Sequence, residues 1–92
     1  LDTGIVIYSL ADQTYRKIAD FGFWPRWWND SRRLLFADMG NIYIADIESG
    51  EVRQILSDPP DLFLDAGISQ DNRFIYFVRQ KIDADIWLLT LK

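Results

Sequence analysis

Residues Trp28-Asn29-Asp30-Ser31-Arg32-Arg33-Leu34-Leu35-Phe36 and Ser69-Gln70-Asp71-Asn72-Arg73-Phe74-Ile75-Tyr76-Phe77 follow one plan in different letters. Each opens on an aromatic or polar residue, turns around an Asp and continues into strand-forming residues. A second pattern recurs around them, in Ile5-Val6-Ile7-Tyr8-Ser9-Leu10, Ile42-Tyr43-Ile44-Ala45-Asp46-Ile47 and Ile86-Trp87-Leu88-Leu89-Thr90-Leu91. Leu10 stands 37 positions before Ile47, and Ile18 stands 37 before Ile55. Asp30 and Asp71 are 41 apart, as are Phe36 and Phe77. The extra residues fall between Leu56 and Asp65, where Ser57-Asp58-Pro59-Pro60-Asp61 is rich in turn formers. An insertion there lengthens a loop and spares the register of the strands.

The pattern predicts nine strands, at 4–10, 14–18, 25–29, 33–38, 41–47, 51–56, 65–69, 73–79 and 84–91, and no helix. Ile5-Val6-Ile7-Tyr8, Leu34-Leu35-Phe36 and Phe74-Ile75-Tyr76-Phe77-Val78 are apolar at every position. Because successive strand residues point to opposite faces, such strands need cover on both sides. A repeat of about 40 residues built from strands, each sheet packed between two neighbours, is the pattern of β-propeller blades. The expected fold is all-β: a propeller fragment of about two four-stranded antiparallel blades. Residues 1–18 supply the outer two strands of one blade, 19–56 a complete blade, and 57–92 three strands of the last. Head-to-tail self-assembly of such a piece leaves one third-position strand surplus per copy. The simpler expectation is the C-terminal portion of a larger ring, whose remaining blades are its first partners.

Composition narrows the function. Of 92 residues, 49% are hydrophobic and 15% aromatic, which suits sheets covered on both faces. Fourteen acidic against 10 basic residues give a net charge of −4, and no basic stripe is present to bind nucleic acid. Arg16-Lys17 and Arg32-Arg33 are isolated pairs. The chain has no Cys, so it has neither a disulfide framework nor a thiolate metal site. No apolar run approaches the roughly 20 residues needed to span a bilayer, so no membrane insertion is expected.

Pro25-Arg26-Trp27-Trp28-Asn29-Asp30-Ser31-Arg32-Arg33-Leu34-Leu35-Phe36, followed by Asn41-Ile42-Tyr43-Ile44-Ala45-Asp46-Ile47 and Gly50, resembles the WD40-like repeat of the TolB propeller family. Asp30 and Asp71 fall on the Asp of that repeat. Asn29 and Ser31 replace its Pro and Gly in one copy, and Gln70 and Asn72 replace them in the other. The resemblance covers nearly the whole chain and implies an architecture shared by many proteins. Such propellers occur in the bacterial periplasm, as sensor-like parts of bacterial kinases and regulators, and as gating domains of prolyl-oligopeptidase-type enzymes. A periplasmic or cytoplasmic bacterial setting is what the resemblance implies.

Candidate sites follow. Asp30 and Asp71 are expected to hold turns, because a turn Asp bonds nearby backbone amides. Phe21-Gly22-Phe23-Trp24-Pro25-Arg26-Trp27-Trp28 links an outer strand to the next inner one. Trp27 and Trp28 are expected in the core and Phe23 against the loop, while Trp24 and Arg26 are candidates for a binding surface. Asp65 joins them as a third candidate. Asp58, Asp61 and Asp65 lack the spacing of a calcium loop and are expected to form a solvated acidic loop, so no metal site and no cofactor are assigned. With no His in the chain, a Ser-His-Asp arrangement cannot be completed, and no catalytic residue is assigned. The expected role is non-catalytic: a sensor or binding module for a protein or peptide. The alternatives are a substrate gate beside a hydrolase domain and blades that only close a ring. Alone, the chain is expected to self-associate through uncovered apolar surface.

Overall fold

A computed structural model describes residues 4–81. Those residues form eight strands and no helix: β1 (Ile5–Ser9), β2 (Thr14–Ala19), β3 (Phe23–Trp27), β4 (Arg33–Asp38), β5 (Asn41–Asp46), β6 (Val52–Leu56), β7 (Leu62–Ile68) and β8 (Ile75–Gln80). The ninth expected strand, 84–91, lies outside the described residues. All pairings are antiparallel, in three sheets of order β1-β2, β3-β4-β5-β6 and β7-β8.

Two strands are displaced from expectation. β3 begins at Phe23 and stops at Trp27, because the Trp28 N–H already bonds the Arg33 carbonyl at 2.7 Å across the turn. β7 begins at Leu62, since the proline-bearing insertion is closed early by an Asp61 N–H to Asp58 carbonyl bond of 3.0 Å. The Phe63 N–H then reaches the Gly40 carbonyl at 2.8 Å and ties β7 to the neighbouring sheet.

The four-stranded sheet is apolar on both faces. Leu34 pairs with Ala45 and Phe36 with Tyr43, and this set packs with Ile5, Ile7, Ile18, Ala19 and Phe21 on the β1-β2 side. The alternate pairs, Leu35 with Ile44 and Ala37 with Ile42, pack with Phe63, Ala66, Ile68 and Ile75 on the other side. The period-two alternation of a strand thus feeds two separate cores. Phe36 stacks on Tyr43 at 5.4 Å between ring centres, and Phe21 meets both edge-on.

The two small sheets match halves of the large one, pair for pair. In β1-β2 the partners are Val6–Lys17, Ile7–Arg16 and Tyr8–Tyr15; in β5-β6 they are Tyr43–Gln54, Ile44–Arg53 and Ala45–Val52, each 37 positions later. In β7-β8 the partners are Leu64–Val78, Gly67–Tyr76 and Ile68–Ile75; in β3-β4 they are Phe23–Ala37, Arg26–Leu35 and Trp27–Leu34, each 41 positions earlier. The bulges recur at the same places.

Candidate functional site

The bulges in β3 and β7 aim the residues singled out from the sequence. Each strand edges its sheet, and each bulge places one non-glycine residue in left-handed backbone: Trp24 at φ 56° and Asp65 at φ 51°. The two are 41 positions apart and so occupy equivalent places. A bulge bends a strand and redirects side chains, which is why such features gather at edges and sites. Trp24 is 55% exposed, tilted against Phe23 at 5.8 Å between ring centres.

Arg26 and Asp65 are brought together. Arg26 Nη2 donates to Asp65 Oδ1 at 2.8 Å, from β3 of one sheet to β7 of the next. That hydrogen bond, with the attraction of the same carboxylate, raises the guanidinium above its ordinary value. Both groups are half exposed, so the pair is screened by solvent and contributes geometry more than stability. Trp24 does not join this contact and stays open to solvent.

The remaining acidic residues separate. Asp58 and Asp61 both accept from Arg79, at 3.0 Å from Nε in the case of Asp61, and the Arg79 guanidinium also lies over the Phe63 ring. Asp65 faces Arg26 instead. No group of three or more metal-binding side chains forms among the described residues.

At the opposite ends of β3 and β7, Asp30 and Asp71 sit in matching turns. Asp30 Oδ1 accepts from the backbone N–H of Arg32 at 2.9 Å and of Arg33 at 3.1 Å, while Oδ2 accepts from Arg33 Nε at 2.9 Å. Asp71 Oδ1 accepts from the Ser69 hydroxyl at 2.7 Å and the Arg73 N–H at 3.1 Å. Each carboxyl is held below its usual range by these donors: chiefly the Arg32 amide for Asp30 and the Ser69 hydroxyl for Asp71. The turns also place Ser31 (φ 55°) and Asn72 (φ 62°) in left-handed backbone.

Three contacts were not anticipated from the sequence. Asn29 Nδ2 donates to the Ser69 carbonyl at 2.7 Å, the Gln70 carbonyl at 2.8 Å and Asn72 Oδ1 at 2.9 Å. It joins the two Asp turns through its side-chain amide. Asp46 accepts from Arg32 and from the backbone N–H groups of Glu48 and Ser49, closing the β5-β6 hairpin. The Arg33 guanidinium lies 4.6 Å from the Trp28 ring centre.

The expected burial of the tryptophans holds for one of them. Trp28 packs against the core on the β7-β8 side, whereas Trp27 is 49% exposed. Phe23 is also exposed rather than pressed under the loop. Trp27 pairs with Leu34 and so lies on the face of the sheet that turns toward β1-β2. A hollow of about 240 Å³ remains there, lined by Ile5, Val6, Ile7, Tyr8, Pro25, Trp27 and Leu34. Comparison of the chain with protein-family models, with curated proteins and with solved structures returned no match.

Proposed function

We propose that this chain is a non-catalytic binding module, built as adjoining blades of a TolB-like propeller, that engages a protein or peptide through Trp24. The observation that carries this reading is the presence of three exposed aromatics, Phe23, Trp24 and Trp27, on one bulged edge strand. Pro25 removes a backbone donor from that edge, so recognition there runs through side chains rather than strand addition. Large aromatic rings held by a stiff sheet give contact area at small entropic cost, which is why they dominate binding hot spots. The propeller reading is supported by the matched pairings at spacings of 37 and 41, and by a central sheet packed on both faces.

The test is a peptide library displayed on phage and selected on the 92-residue chain. Enriched peptides are expected to bind the Trp24→Ala variant at least about thirtyfold more weakly, the size of an ordinary hot spot, with the urea midpoint of the variant unchanged. Equal losses of folding and binding reject the role.

A structural reading, in which these blades only close a ring, is favoured by the Arg26–Asp65 and Asn29 contacts, which spend their polar groups between sheets. Under it, Trp24→Ala leaves peptide binding untouched.

A further inference from the structure

The matching bulges of β3 and β7 hold one position filled in two ways. Asp65 (φ 51°) and Trp24 (φ 56°) stand 41 positions apart in the same left-handed backbone, each on the first strand of its sheet. Asp65 shows what that position receives: its Oδ1 accepts from the Arg26 guanidinium at 2.8 Å. The backbone that aims the Asp65 carboxylate also aims the Trp24 indole, so a group that meets a carboxylate at one bulge meets a ring at the other. Both attract a cation, the carboxylate through its charge and the indole through the negative faces of its π system.

We propose that the peptide ligand of Trp24 presents a cationic side chain, an arginine or lysine, that lies over the indole ring as Arg26 lies against Asp65. The proposal rests on the Trp24 binding role above and names the chemistry of its ligand.

Three observations support it. First, the acceptor position recurs while the donor does not. The place of Arg26 is taken 41 positions later by Gly67, where the Tyr76 ring fills the space a Cβ would need. A cation for Trp24 is thus no fixed feature of the repeat, and a ligand can bring it. Second, Phe23 and Trp24 are both about half exposed, and their planes meet at 47° with ring centres 5.8 Å apart. Tilted rings of this kind build the aromatic cages that hold ammonium groups, and tryptophan is the best of the rings. Third, the chain lays cations on rings elsewhere, Arg33 at 4.6 Å from the Trp28 ring centre and Arg79 at 5.2 Å from that of Phe63. Electrostatics agree. Arg26, the one cation of β3, is already neutralised by Asp65, and the net charge of −4 favours the approach of a cation over that of an anion.

Peptides selected by phage display on the 92-residue chain are expected to share an arginine or lysine. Synthetic copies with citrulline in place of that arginine, or acetyl-lysine in place of that lysine, lose the charge and keep most of the side chain. Isothermal titration calorimetry is expected to show them binding about five- to thirtyfold more weakly. Trp24→Asp and Trp24→Leu then separate a cation site from an apolar one. Asp suits left-handed backbone, as Asp65 shows, and gives the first bulge the acceptor found at the second. Cationic peptides are expected to bind Trp24→Asp more tightly than Trp24→Leu, by up to about fivefold, the gain of an exposed ion pair. Both variants are expected to keep the native urea midpoint. Selected peptides free of arginine and lysine overturn the proposal. Citrulline or acetyl-lysine copies that bind like the originals do so too, as does tighter binding to Trp24→Leu than to Trp24→Asp. In each of those outcomes a loss on Trp24→Ala leaves the binding role standing, whereas binding that no Trp24 substitution moves removes both.

Discussion

Leu35 and Phe36 are neighbours in the chain and belong to different hydrophobic cores. Both are almost wholly buried, at 0% and 1% exposure, Leu35 among residues of β7 and β8 and Phe36 among those of β1 and β2. In a sheet with one wet face, one of two adjacent strand residues would be exposed. Truncating either should therefore be costly: Leu35→Ala by about 2–5 kcal/mol and Phe36→Ala by about 3–5 kcal/mol. Urea denaturation checks this, and a loss confined to one of the pair would mean that one face is not packed in solution.

Two glycines share left-handed backbone and differ in their surroundings. Gly50 (φ 79°), in the β5-β6 turn, has open space where a Cβ would point, whereas Gly40 (φ 80°) has Leu62 against it, with the Leu62 Cα 3.2 Å from that position. Gly50→Ala should cost about 1 kcal/mol, the left-handed penalty alone. Gly40→Ala adds overpacking at the joint between sheets and should cost about 2–4 kcal/mol. Similar losses at both sites would show that the Gly40–Leu62 contact yields easily.

Asp46 makes the fold sensitive to acid. Its hydrogen bond with Arg32, aided by the Glu48 and Ser49 amides, lowers the carboxyl from an ordinary value of 3.8 to about 2. The folded pKa is depressed, so the stabilisation is complete above the ordinary value and disappears as pH falls from about 4 toward 2. The gap in urea midpoint between the native chain and Asp46→Asn should be widest above pH 4 and close near pH 2. A carboxyl carbon titration by NMR should place the Asp46 midpoint near 2. A midpoint at the ordinary value would mean that Arg32 is not engaged.

Much of the fold was legible because it depends on local pattern. The β4 and β5 bounds follow from unbroken runs of strand formers, and the Gly50 turn from a residue that accepts positive φ. The equivalence of Asp30 and Asp71 was readable as a spacing. Trp27 was misplaced because its exposure depends on the hollow left between its face and β1, a matter of how sheets stack rather than of residue type. Trp24, Arg26 and Asp65 were singled out individually, yet nothing in the letters said that Arg26 and Asp65 would meet across 39 positions and leave Trp24 alone. Asn29 looked like a lapse from a repeat pattern and turns out to hold two turns together.

By itself the amino-acid order determined where strands form, which of their side chains share a face, and at what intervals the pattern returns. Those properties follow from backbone sterics and two-residue alternation, which act within a few positions. Stacking of the sheets decided the rest: the partners of Arg26, Asn29 and Arg79, the separation of Leu35 from Phe36, and the hollow beside β1. Charge and hydrogen-bond contacts between stacked sheets form over a few ångströms and join residues dozens of positions apart, so they arise only once two packed cores set the distance between the layers.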